Sequence, residues 1–177
     1  LTYASTEGPW NNPRGNGGIR LLNIADDSIT DITPEKNGYG DVVIDPANPD
    51  RMVAVTENVY DQQANGTFGD DFYVTTDGGK TWKNINLDMT MSGGDVSWHN
   101  ESSMHWCSSL AIDPHNTGKI MVVSGNGIFS CDNIWDEHPA FYFFAEGIEE
   151  TVPYELVSIP GGELVTCLLY TSDAADE

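Results

Sequence analysis

Residues 75–82, TTDGGKTW, constrain the fold more than any other stretch of the chain. Tyr73 and Val74 lead into them with the alternation of a strand. Asp77-Gly78-Gly79 is a tight-turn signal, because glycine reaches positive φ without a steric penalty. The short carboxylate of Asp77 can fold back onto N–H groups of its own turn. Thr81 opens a return strand, and Trp82 is placed to lie across the hairpin and cover its hydrogen bonds. The segment therefore reads as a self-contained β-hairpin with a carboxylate lock and an aromatic clasp. In that reading Thr75, Asp77, Gly79, Thr81 and Trp82 are structural residues, not catalytic ones.

The rest of the chain repeats a strand order around this hairpin. Residues 18–24, GIRLLNI, and 28–33, SITDIT, form a hairpin about Ala25-Asp26-Asp27, a decayed form of the same turn. Residues 40–44, GDVVI, are an apolar strand buried on both faces. Residues 45–50, DPANPD, turn it into 52–56, MVAVT, and a loop at 58–70 leads to the locked hairpin. The order recurs as strand 110–112, turn 113–118, return strand 120–124, then strands 127–131 and 141–144. A third copy begins with strand 155–159, turns at Pro160-Gly161-Gly162 and returns through 163–168. Aligned, the copies read VVIDPANPDRMVAVT, LAIDPHNTGKIMVVS and LVSIPGGELVTCLL. The steps are 68 residues (112 − 44) and 47 residues (159 − 112). Repeats of this length, carrying four strands each, are the signature of propeller blades.

The pattern S/T-x-D-x-G-x-T-W is the Asp-box, a hairpin signature of several β-propeller families, and Thr75 stands here where serine is usual. The expected fold is all-β: a β-propeller with four-stranded antiparallel blades, present as an incomplete piece of a larger, seven-bladed ring. Residues 1–34 end one blade, 35–108 are a blade with the Asp-box and an inserted loop, 109–148 are the next, and 149–169 begin another. Residues 170–177, YTSDAADE, break the pattern and are expected to be a non-native tail. Leu1 is not an initiator methionine, so the chain is expected to start inside a longer protein.

Charge narrows the partners. Seven Lys and Arg against 28 Asp and Glu give a net charge of −21, which argues against nucleic acid and anionic membranes. No apolar run reaches the roughly 18–20 residues of a membrane span. An acidic surface with five Trp and seven Tyr suits a neutral polysaccharide or oligosaccharide and a secreted protein, monomeric when intact. Cys107, Cys131 and Cys167 have no metal-ligand spacing and read as small buried thiols, and the four His show no zinc pattern. No metal or cofactor is expected.

Further motifs, in order, resemble the family 74 glycoside hydrolases, the xyloglucanases and related endo-β-1,4-glucanases. Glu7-Gly8-Pro9, then Gly17-Gly18-Ile19 and Thr30-Asp31-Ile32-Thr33-Pro34, look like that family's GP…G-x-V-W…TWTDITP. Residues 109–118, SLAIDPHNTG, and 124–127, SGNG, resemble its LxIDPxNxxxxxxGTGxG. Gly147-Ile148-Glu149-Glu150-Thr151 and residues 156–162 resemble G-x-E-E-T…LVSPPGG. The resemblance implies a secreted enzyme with two propellers facing across a substrate cleft, cleaving β-1,4-glucan backbones of plant polysaccharide with inversion. Two aspartates would act as acid and base, about 6.5–9.5 Å apart. The base of such enzymes lies in a blade upstream of Leu1. The acid lies in a G-D-x-G-G-F motif that would fall at about Tyr170, where the tail begins. No catalytic residue is therefore assigned within the chain, and it is expected to be inactive alone.

The chain would instead supply cleft wall. In a propeller the entry to the innermost strand and the exit of the second share a face. That places Tyr39, Gly40, Glu57, Asn58, His105, Trp106, Asn126, Glu149 and Glu150 on the cleft side. Sugar rings present C–H faces that stack on indoles, so Trp106 is the leading candidate, against packing between blades as its alternative. His105, Tyr39, Asn58 and Asn126 accompany it, with Trp98 from the loop 91–103. Glu150 has a structural reading as an acceptor of backbone N–H groups, and Glu57 is the one carboxylate that could imitate a general acid. A non-catalytic Asp-box propeller binding carbohydrate or protein is the alternative function. A sialidase would need an arginine triad, and Arg14, Arg20 and Arg51 lie in the wrong places for one.

Overall fold

The computed structural model of the protein describes residues 2–5, 17–96, 99, 102–147, 153–158, 160–162 and 164–168. It is built from β-strands, and among the described residues no helix is long and apolar enough to cross a membrane. Residues 1–145 form one compact unit and 146–177 a second.

The first unit holds three larger sheets in sequence and one short two-stranded one. Strands β1 (Thr2–Ser5), β2 (Gly18–Asn23) and β3 (Ser28–Asp31) form an antiparallel three-stranded sheet. Strands β4 (Tyr39–Ile44), β5 (Met52–Thr56), β8 (Phe72–Thr75) and β9 (Lys83–Asn84) form the four-stranded antiparallel meander expected of a blade. The third sheet contains β11 (Ser109–Asp113), β12 (Asn116–Ser124), β13 (Gly127–Cys131) and β14 (Ala140–Phe143) as another meander. It also has a fifth strand, β10 (Thr90–Ser92), paired parallel to β14. The inner strand β4 lies beside both β1 and β11. Asp41 tightens the second of these junctions by accepting the Leu110 N–H on Oδ2 at 2.8 Å.

Strand β5 shows why the sheets stack. All five of its residues, MVAVT, are buried. Side chains alternate across a strand, so Met52 and Ala54 join Ile19, Ile32, Tyr39, Val42 and Tyr73 in one apolar cluster. Val53 and Val55 join Phe72, Cys107, Leu110, Val122, Phe129 and Phe141 in the other. A blade between two neighbours has no polar face, which is why its strands read as continuous apolar runs. Each large aliphatic side chain buried this way contributes about 1.5–3 kcal/mol. Cys107 and Cys131 are buried free thiols within this packing.

The hairpin at 75–82 is closed by its own side chains. Thr75 Oγ1 donates to Asp77 Oδ1 at 2.8 Å and accepts the Gly79 N–H at 3.1 Å. Asp77 accepts the Thr81 N–H and hydroxyl at 2.9 and 2.7 Å. Gly78 and Gly79 have φ of 75° and 82°. Trp82 reaches beyond the hairpin. Its indole N–H donates to Ile32 O at 2.7 Å, and its ring packs on the cluster shared with β2. The clasp ties the hairpin to the neighbouring sheet.

The loop expected at 58–70 contains a short antiparallel hairpin, β6 (Asp61–Gln62) and β7 (Phe68–Gly69). The second unit, by itself, shows the antiparallel hairpin β15 (Pro153–Ser158) and β16 (Leu164–Leu168), turning through Gly161 at φ 74°. Trp98, Glu149, Glu150 and the tail 170–177 lie outside the described residues.

Candidate functional site

The site is built where β5 ends, where the chain enters β11, and at the β12–β13 turn. These points belong to two adjacent sheets and share one face. Asn58 follows β5 in the left-handed region at φ 62°, and Trp106 precedes β11 at φ 55°. A non-glycine residue costs about 1–2 kcal/mol there, with Asn the most tolerant. Each is paired with the other: the Trp106 indole N–H donates to Asn58 Oδ1 at 2.8 Å. Trp106 is 45% exposed, so its ring faces outward while its nitrogen is fixed.

His105 stands edge-on to Trp106, with ring centroids 5.3 Å apart. Tyr60, 47% exposed, lies 5.9 Å from His105 at an interplanar angle of 31°. Three rings thus make a continuous aromatic shelf. His105 Nδ1 lies 2.8 Å from Ser103 Oγ and 3.4 Å from Asn126 Nδ2. An amide N–H directed at Nδ1 leaves the ring proton on Nε2. Burial lowers the His105 pKa, so the ring is neutral at neutral pH. Asn126 is anchored by donating to Ser103 O at 2.8 Å, and the Gly125 N–H donates to His105 O at 2.7 Å.

Beneath the shelf sits Asp70, fully buried. Its Oδ1 accepts the Val59 N–H at 2.8 Å and the Thr56 hydroxyl at 3.3 Å. Its Oδ2 accepts the Cys107 N–H at 2.9 Å. The Asp70 N–H donates to Met104 O at 2.8 Å, and Gln63 bridges Asp70 O and both backbone groups of Met104. Burial outweighs these donors and pushes the Asp70 carboxyl up to about 7. Burial also raises Glu57, the half-buried carboxylate next to Asn58.

The structure therefore brings together Asn58, His105, Trp106 and Asn126, and adds Tyr60 and Ser103, which the sequence did not single out. Tyr39 is a correction. It is 1% exposed, with its hydroxyl donating to Glu35 O at 2.7 Å and accepting the Glu35 N–H at 3.2 Å. Its ring fills the cluster between β2 and β4 and presents nothing to a ligand. Gly40 beside it is a close approach: a Cβ there would overlap the Cys107 carbonyl oxygen. Among the described residues no group of three or more His, Cys, Asp and Glu side chains is placed to hold a metal ion.

No protein-family model matches the chain. The oligoxyloglucan-reducing end-specific xyloglucanase of Emericella nidulans is 25% identical over 218 residues, spanning 92% of this chain and 26% of that protein. The xyloglucanase Xgh74A of Acetivibrio thermocellus is 28% identical over 194 residues, 92% of this chain and 22% of that protein. Among solved structures, the GH74 enzyme of Niastella koreensis superposes with a TM-score of 0.73 at 36% identity, over 91% of this chain and 24% of that one. The GH74 xyloglucanase of Xanthomonas campestris gives 0.63 at 28%, over 86% and 22%. The chain thus spans about a quarter of the length of the relatives it matches.

Proposed function

From a chain that belongs to the xyloglucanase-like family 74 of glycoside hydrolases, we propose that the shelf of Tyr60, His105 and Trp106 is a sugar-binding stretch of cleft wall in a secreted enzyme acting on xyloglucan-type β-1,4-glucan. The observation that carries this reading is the exposed Trp106 ring with its nitrogen fixed by Asn58. An aromatic ring held in one orientation offers an apolar face to the C–H side of a pyranose at little further entropic cost. The neutral His105 and the carboxamides of Asn58 and Asn126 suit hydroxyl groups, which need donors and acceptors rather than charge. The chemical step, inversion by an aspartate acid and an aspartate base, belongs to residues outside this chain. Its own part is to hold the backbone of the polymer.

Calorimetric titration of the chain with a xyloglucan heptasaccharide tests the reading. Binding is expected without hydrolysis, and Trp106→Ala should weaken it at least tenfold. Equal binding by both proteins, or cleavage by the chain alone, would overturn it.

A further inference from the structure

We propose that Asp70 is the positioning residue of the aromatic shelf: its two carboxylate oxygens hold, one each, the backbone that follows the two left-handed residues whose side chains meet at the surface. This rests on the shelf being the sugar-binding surface. Val59 follows Asn58 and Cys107 follows Trp106, and their N–H groups go to Oδ1 and Oδ2 at 2.8 and 2.9 Å. Directly above, the side chains of Asn58 and Trp106 close the same ring of contacts at 2.8 Å. The two segments are 48 residues apart in sequence and come from different sheets. A single buried acceptor with two oxygens sets their separation and both turns at once.

Only an ionised carboxylate does this in full. An asparagine offers one acceptor oxygen and turns an NH₂ toward the other N–H, a donor facing a donor. A protonated Asp70 places a hydrogen on one of the two oxygens with the same effect. Among the described residues, the Cys107 thiol, buried at the entry to β11, faces Asp70 directly, and Glu57 at the end of β5 acts on that same thiol. The Val59 and Cys107 amides report on Asp70 most directly, since they are its donors.

The test follows the Trp106 indole N–H by NMR in the absence of sugar, its line assigned by its loss in Trp106→Phe. In the unmodified chain this proton should exchange slowly. In Asp70→Asn it should shift and exchange at least tenfold faster, while the amides of Ile120 and Val122 keep their positions. Sugar affinity should fall tenfold or more, with no added loss in the Asp70→Asn/Trp106→Ala double variant. An unchanged indole line in a folded Asp70→Asn protein overturns the proposal. If Trp106→Ala leaves sugar binding intact, the sugar-binding reading fails, and the indole line still judges Asp70. Should Asp70→Asn not fold, the unmodified chain is titrated from pH 8.5 to 5.5. The Val59, Cys107 and indole lines should then move in one step, and flat lines would overturn the proposal.

Discussion

Asp70 and Asp77 bracket strand β8 and do similar work in opposite surroundings. Asp77 accepts from Thr75 and Thr81, all within the hairpin, at the partly exposed surface, and these bonds pull its carboxyl down to about 2. Asp70 accepts two N–H groups and a hydroxyl, from Val59, Cys107 and Thr56, but burial pushes it up to about 7. The hydrogen bonds favour the charged form in both cases. What differs is desolvation, which is small at the turn and dominant under the shelf. A partly exposed aspartate thus closes a hairpin with little penalty. A buried one joins distant segments and keeps a carboxyl that titrates near neutrality.

The comparison breaks most readily by truncation. Asp70→Ala leaves the Val59 and Cys107 N–H groups buried without acceptors, which should cost about 2–4 kcal/mol in urea unfolding. Asp77→Ala removes bonds whose donors can turn to water, and its loss should be clearly smaller. An Asp77→Ala cost equal to that of Asp70→Ala would show that burial is not what separates them.

Acidity sharpens the contrast because the two groups have opposite signs. Asp70, and Asp71 at about 6, are raised above the ordinary value of 3.8. Across the window from about 4 to 7 the folded chain holds more protons than the unfolded one. Stability from these two groups is therefore fully present below about pH 4 and declines as pH rises toward 7. Asp77 is lowered, as are Asp26 and Asp31 by hydrogen bonds from Ser28 and Thr33. Their contribution is present above about pH 4 and is lost as pH falls toward 2. Melting temperature against pH should peak near 4–5. Asp70→Asn should flatten the neutral limb, and Asp77→Asn the acid limb. A curve that rises steadily from pH 4 to 7 would contradict the raised carboxyls.

How much of this the sequence carried follows the same divide. The Asp77 turn was legible because every partner lies within six residues. The shared face was legible from strand order, since entry to β11 and exit from β5 and β12 must coincide, and so Asn58, His105, Trp106 and Asn126 came together. Tyr39 obeyed the same rule of position and yet points inward, because the pairing of β4 with β5 is irregular between Tyr39 and Asp41. Asp70 gave no signal beyond two acids before an apolar strand, for its donors lie 11 and 37 residues away. Strand β10 has three residues and a partner some fifty positions on, which no local pattern announces.

Gly79 offers a smaller test on the hairpin side. Its φ of 82° disfavours any Cβ, and one built there would lie 3.0 Å from the Ile32 side chain. Gly79→Ala should cost about 1–2 kcal/mol in the same unfolding experiment.

The smallest expected effect on folding falls on Asn58, and it separates side chain from backbone on the shelf. Glycine accepts φ 62° freely, so Asn58→Gly should change stability by less than about 1 kcal/mol while removing the acceptor of the Trp106 indole. Asn58→Ala removes the same acceptor and adds left-handed strain of about 1–2 kcal/mol. If the side-chain bond orients Trp106, both variants lose sugar affinity about equally, although only the alanine loses stability. If the glycine keeps full affinity, the backbone held by Asp70 is sufficient to orient the ring. The surface hydrogen bond would then be a consequence of the buried one.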